Sequence, residues 1–158
     1  ELDVMDLILE NLSNESLFAI KQDVEFQKWR LYENPNYHKV HAYSVFKNDE
    51  LKAQIVFNSD RNGVAYNCQS LFASGLSVAD KVSILKSVTK KLFKEGVILV
   101  RNWHFDTNNL NLSESEVYEL AGYTVLDRGI GFVWKVIGQE QLNASDFYLS
   151  RIATQGIT

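Results

Sequence analysis

The stretch from Ser77 to Glu95 constrains the fold more than any other, because it is an amphipathic segment set between two strand-like runs. Val78, Val82, Leu85, Val88 and Leu92 recur at helical spacing and make one apolar stripe. Ser77 offers a side-chain cap with Asp80 three residues on, and Gly96 offers the stop. Lys81, Lys86, Lys90, Lys91 and Lys94 lie off the stripe, and the later ones suit the negative end of the helix dipole. The runs on either side, Val64 to Ala73 and Val97 to Trp103, read as strands. A strand, a helix with one apolar face and a second strand imply a parallel pair joined by a right-handed crossover. The expected class is therefore α/β in the broad sense, an α+β arrangement with a mixed sheet and helices on both faces.

Two further strand-like runs, Val40 to Lys47 and Leu51 to Asn58, precede the crossover. Asn48-Asp49-Glu50 and Arg61-Asn62-Gly63 separate the three runs with hairpin turn chemistry, so an antiparallel meander is expected. Before it, Leu2 to Leu12 carries a helical stripe and Asp23 to Tyr32 reads as a second helix. That helix must close before Pro35, which pushes its predecessor away from helical angles. After the crossover come a polar loop, Asp106 to Asn111, and a short helix capped by Ser113 and stopped at Gly122. Tyr123 to Asp127, Gly131 to Ile137 and Phe147 to Ala153 read as the last strands. A chain of 158 residues with no internal linker fits one domain.

A formal charge of −4 gives no footprint for nucleic acid. The single cysteine, Cys68, has no partner for an internal disulfide, no Cys/His spacing suggests zinc, and no metal is expected. A reducing cytoplasm is the expected compartment. No apolar run approaches the roughly 20 residues that a membrane-spanning helix needs. The start, Glu1-Leu2-Asp3, lacks both a basic region and an apolar region of a signal peptide and lacks an initiator Met, so a processed chain or, by preference, a piece of a longer one is expected.

One stretch is specific beyond its periodicity. NLSESEVYELAGY, from Asn111 to Tyr123, sets an Asn, a Tyr seven residues later, and a Gly-aromatic pair four and five beyond that. This spacing and the element order resemble the GNAT superfamily of N-acyltransferases. FQKWRLYENPNY, from Phe26 to Tyr37, and DFYL, from Asp146 to Leu149, look like segments of GNAT-type proteins from bacterial polysaccharide and cell-envelope clusters. The resemblance implies an acyl-CoA such as acetyl-CoA as cosubstrate and a primary amine as acceptor, an amino sugar by analogy.

The resemblance also implies a phosphate loop of the form Arg/Gln-x-x-Gly-x-Gly/Ala at the start of the crossover helix, where backbone amides and the helix dipole hold a pyrophosphate. Leu76, Ser77, Val78, Ala79 and Lys81 occupy that place here. No glycine lies between Gly75 and Gly96, and Asp80 adds a negative charge. The coenzyme site is expected to be altered, relocated or lost.

Tyr118 matches the family tyrosine that protonates the departing thiolate, and a phenol with a pKa near 10 suits that task. Packing of its ring on the sheet is the competing reading. Asn111 matches a coenzyme contact, or serves the loop ahead of the Ser113 cap. His104, with Asp106 to fix its tautomer, follows the Val97 strand at the carboxyl edge where ligands of open α/β sheets bind, and is a candidate base or a solvated loop residue. His38 and His41 are expected at the surface, and Cys68 as a buried inert thiol. Trp29, Arg30 and Tyr32 either line an acceptor groove or bury their helix on the sheet. Two functions follow from these readings: an N-acyltransferase with Tyr118 and His104 as acid and base and a small-molecule amine as acceptor, or a non-catalytic GNAT-fold module that binds a partner or pairs with a second domain. A hydrolase built on Cys68 or a serine has no supporting motif.

Overall fold

The computed structural model describes residues 18–19, 23–33, 35, 39–103, 115–126 and 147–148. The expected helix over Leu2 to Leu12, the 106–111 loop, the Ser113 cap and the strand over Gly131 to Ile137 lie outside these residues.

Strand β1 (Phe18–Ala19) pairs in parallel with β6 (Phe147–Tyr148), the last strand among the described residues. Between them in sequence come α1 (Val24–Gln27), then β2 (Val40–Lys47), β3 (Glu50–Ser59) and β4 (Val64–Phe72). The crossover helix α2 (Val78–Lys94), β5 (Leu99–Arg101) and α3 (Ser115–Leu120) follow. β2, β3, β4 and β5 form one sheet in that order, antiparallel through the meander and parallel between β4 and β5. The expected mixed sheet with a crossover is therefore the observed one.

Local chemistry sets the boundaries. Asn48 and Asp49 carry positive φ values of 54° and 60°, which suit a tight hairpin turn between β2 and β3. Asp60 organises the next turn, its Oδ1 accepting from the amides of Asn62 at 2.8 Å and Val64 at 3.0 Å. Gly63, at φ +75°, packs this turn against the end of the crossover, where the Ile98 amide donates to its carbonyl at 2.9 Å. A Cβ at Gly63 would stand 3.3 Å from Ile98 Cγ1, so glycine serves both the backbone angle and the fit.

The capping box of α2 forms as expected: the Asp80 amide donates to Ser77 Oγ at 3.1 Å, and the Ser77 amide donates to Asp80 Oδ2 at 3.3 Å. Leu85, Val88 and Leu92 are buried and Val82 is half-buried, but Val78, expected in the stripe, is 43% exposed. The stripe meets the sheet only from the second turn onward. α2 and α3 cover one face, where Leu85, Leu92 and Val117 pack on Ile55, Phe57 and Ala65. The other face carries a smaller cluster in which Leu31 packs on Val56 and Cys68.

Four expectations are corrected. The second helix opens with Asp23, whose carboxylate accepts from the Phe26 amide at 3.0 Å, but it continues from Lys28 to Tyr32 as a π-type turn closed by the Glu33 amide donating to the Lys28 carbonyl. Trp29 and Tyr32 do not bury this segment on the sheet; they are 58% and 57% exposed, and Leu31 is the buried residue. Val97 to Trp103 contains only a three-residue strand, with Leu99 and Arg101 exposed, rather than a long buried one. Tyr123 to Leu126 has no strand character, and Val125 and Leu126 are exposed. A β-compatible pattern becomes a strand only beside a partner, and among the described residues this segment has none.

Candidate functional site

The sheet changes character within β4. Phe57 pairs with Asn67 and Val56 with Gln69, so Cys68 is an extra residue on β4, a β-bulge. Pairing of β4 with β5 is confined to Val64–Leu99, Ala65–Val100 and Tyr66–Arg101. β4 continues to Phe72 along β3, whereas Asn102 and Trp103 carry no strand pairing. Past Tyr66, β4 therefore has β3 on one side and, among the described residues, no strand on the other. This is the carboxyl edge of a parallel pair, the place where open α/β sheets bind ligands.

The bulge also decides which side chains meet. Residues three apart on a regular strand point to opposite faces, but one inserted residue restores a common face. Asn67 and Ser70 stand opposite Phe57 and Ile55, on the face covered by α2 and α3. Asn67 Nδ2 donates to Ser70 Oγ at 2.9 Å. Tyr118, on α3, donates its hydroxyl to the same Ser70 Oγ at 2.7 Å. Its ring is 7% exposed and meets Tyr123 edge-on at 5.3 Å between centroids. Tyr123 shares a 2.9 Å hydrogen bond with Thr89 of α2, and burial raises its phenol pKa, with the Thr89 bond opposing. Tyr118 is thus packed on the sheet and also delivers a phenol to β4 beyond its last pair with β5; the two sequence readings are not exclusive.

The start of α2 lies one turn after β4. Leu76 is half-buried against the core, while Ser77, Val78 and Ala79 are exposed. Lys81 turns its ammonium over the Phe72 ring at 5.4 Å from the centroid. Asp80 also accepts from Ser77 Oγ at 2.6 Å, and these hydrogen bonds, with a smaller contribution from the Lys47 charge, lower its pKa. The carboxylate is therefore ionised and occupies the Ser77 amide that a phosphate would need. Any anion binding here must use the Val78 and Ala79 amides or displace Asp80, with Lys81 and Lys47 as the nearby cations. His104 and Asn111 lie outside the described residues, as do Asp106 and His38.

A second polar cluster gave no sequence signal. His41 is half-buried on β2, its Nδ1 3.2 Å from Glu95 Oε2 and its Nε2 3.0 Å from Ser59 Oγ. Tyr43 donates its hydroxyl to Glu95 Oε2 at 2.8 Å, and Lys91 lies 5.0 Å over the Tyr43 ring. Burial first, then the Glu95 hydrogen bond and charge, push the Tyr43 phenol far above its ordinary range. The cluster ties edge strand β2 to the end of α2 across more than fifty residues of sequence, a separation that periodicity does not register. Cys68 is buried as expected, its thiol donating to Asn58 Oδ1 at 3.3 Å. Among the described residues no helix is long and apolar enough to cross a membrane.

No protein-family model matches the sequence, and no curated protein matches it. Similar solved structures include a possible acetyltransferase from Clostridium difficile 630, with a TM-score of 0.59 and 20% identity, covering 87% of this chain and 92% of that one. TTHA1254 from Thermus thermophilus gives a TM-score of 0.47 at 18% identity, covering 83% of this chain and 94% of its own. The likeness to the first establishes the fold and not the chemistry. The four-stranded mixed sheet and its helices are consistent with a GNAT-like fold.

Proposed function

We propose that this chain is a GNAT-type N-acyltransferase that moves an acyl group from an acyl-CoA to a primary amine. One observation carries the reading. Among the described residues, pairing of β4 with β5 ends at Tyr66 and Arg101, and a buried phenol is brought to β4 in the stretch that follows. Strand backbone that no other strand pairs with offers amides and carbonyls to an extended ligand such as a thioester arm. In this reading the amine attacks the acyl carbon, the carbon–sulfur bond breaks, and Tyr118 supplies the proton that the thiolate takes up. Asn111 as a coenzyme contact belongs to the same proposal on the strength of the family spacing, and His104 as base, through a water, on its place in the sequence after the Val97 strand, at the carboxyl edge of the sheet. An amino sugar as acceptor rests on the likeness of two sequence segments and on fold analogy.

The fit at Leu76, Ser77, Val78, Ala79 and Lys81 is incomplete, because the Asp80 carboxylate already caps the helix. That single observation favours a second reading, a non-catalytic module of the same fold that binds a partner or pairs with a second domain. A thermal-shift titration separates the two. A ligand that binds only the folded state stabilises it by about 2.7 kcal/mol at a hundredfold excess over Kd. Acetyl-CoA and longer acyl-CoAs are expected to raise the unfolding temperature in a saturable way; no shift with any of them at millimolar concentration would leave the module reading standing.

A further inference from the structure

The geometry points to Ser70 as the group that hands a proton directly to the departing thiolate, with Tyr118 behind it as the resupplying acid. The inference rests on the acyl-transfer reading and deepens it.

Ser70 Oγ accepts from Tyr118 at 2.7 Å and from Asn67 Nδ2 at 2.9 Å. A serine hydroxyl has two lone pairs and one proton, so with both lone pairs engaged the proton is the part left to donate. Tyr118 is buried against Tyr123 and the core, whereas Ser70 is half-buried and lies on β4 beyond the last β5 pair. Of the two hydroxyls, the serine is the more open to a bound thioester. The Cys68 bulge is what makes the arrangement, since without it Asn67 and Ser70 would face opposite sides of the sheet.

In the transfer step the amine nitrogen forms a bond to the acyl carbon, the carbon–sulfur bond breaks, and its electron pair goes to sulfur. Sulfur takes the Ser70 proton while Ser70 Oγ takes the Tyr118 proton, in one concerted movement that forms no alkoxide. The proton shed by the acylated nitrogen passes to water, and Tyr118 regains one from solvent through the Ser70 hydroxyl, the more open of the two. The products are an amide and a free thiol.

The test uses the full chain with acetyl-CoA and a panel of primary amines that includes glucosamine, with thiol release followed over time. Ser70→Ala, Ser70→Val and Tyr118→Phe are each expected to lower kcat about 100-fold with KM for acetyl-CoA nearly unchanged, the usual scale for general acid catalysis. The double variant Ser70→Ala with Tyr118→Phe should fall no further than the worse single one, because the two hydroxyls act as one chain. Ser70→Thr, which keeps a hydroxyl, should recover most of the rate. Ser70→Val has the shape of Ser70→Thr without the hydroxyl, so a fold defect common to the two does not decide the result and their difference reads the proton alone. Unchanged kcat in Ser70→Val, or losses that multiply in the double variant, would overturn the role of Ser70 while wild-type turnover upholds the transfer reading. Absence of turnover by the wild type with every amine would overturn both.

Discussion

Tyr43 shows how a side chain with no part in the proposed chemistry still leaves a measurable mark. Its hydroxyl donates to Glu95 in a partly desolvated setting, so the folded protein holds the phenol proton more tightly than the unfolded chain does. Below an ordinary tyrosine pKa near 10 the phenol is protonated in both states and contributes no slope. Above it, the folded state binds more protons than the unfolded one, so stability falls as pH rises. Urea unfolding at about pH 8 and about pH 11 is expected to show a larger loss for the wild type than for Tyr43→Phe. Equal losses would mean that the Tyr43–Glu95 contact does not hold in solution. Sequence reasoning placed His41, beside this contact, at the surface, because nothing local marks a pairing with Glu95 across the meander and the whole of α2. Tyr118 was legible from its spacing to Asn111 and Gly122. Its partner Ser70 was not, because the two hydroxyls meet only through a tertiary contact.

At the scale of elements, signals carried by contiguous residues were legible and those that depend on a partner were not. The meander strands and α2 fall within a residue or so of their expected ends, since turn chemistry at Asn48-Asp49 and Asp60 to Gly63 and the Ser77–Asp80 box are local. The bulge at Cys68 was not seen, although the polar run Asn67-Cys68-Gln69 interrupts the apolar pattern of β4 and is the signal that could have shown it. The π-type turn from Lys28 to Tyr32 and the brevity of β5 depend equally on what lies across from them. The capping box gives an element-scale test. Ser77→Ala removes the acceptor for the Asp80 amide and should cost about 1 kcal/mol in chemical denaturation. The same substitution loosens the hold of Asp80 on the Ser77 amide, and so should leave acetyl-CoA affinity unchanged or higher. A clear loss of affinity would show that the Ser77 hydroxyl itself contacts the coenzyme.

For the whole molecule, the crossover from β4 through α2 to β5 was the readable part, because one amphipathic helix between two strand runs admits few arrangements. That the two strands part at their carboxyl edge follows from the family resemblance, but the residue at which their pairing ends, Tyr66 with Arg101 among the described residues, was not readable, for it depends on a bulge and on the length of β5. That parting is the centre of the functional account, and hydrogen–deuterium exchange with and without saturating acetyl-CoA tests it most directly. The account expects slower exchange in β4 from Asn67 to Phe72 and at the start of α2 from Leu76 to Lys81, with little change in β2. Exchange that slows elsewhere while these two segments stay as they were would contradict it.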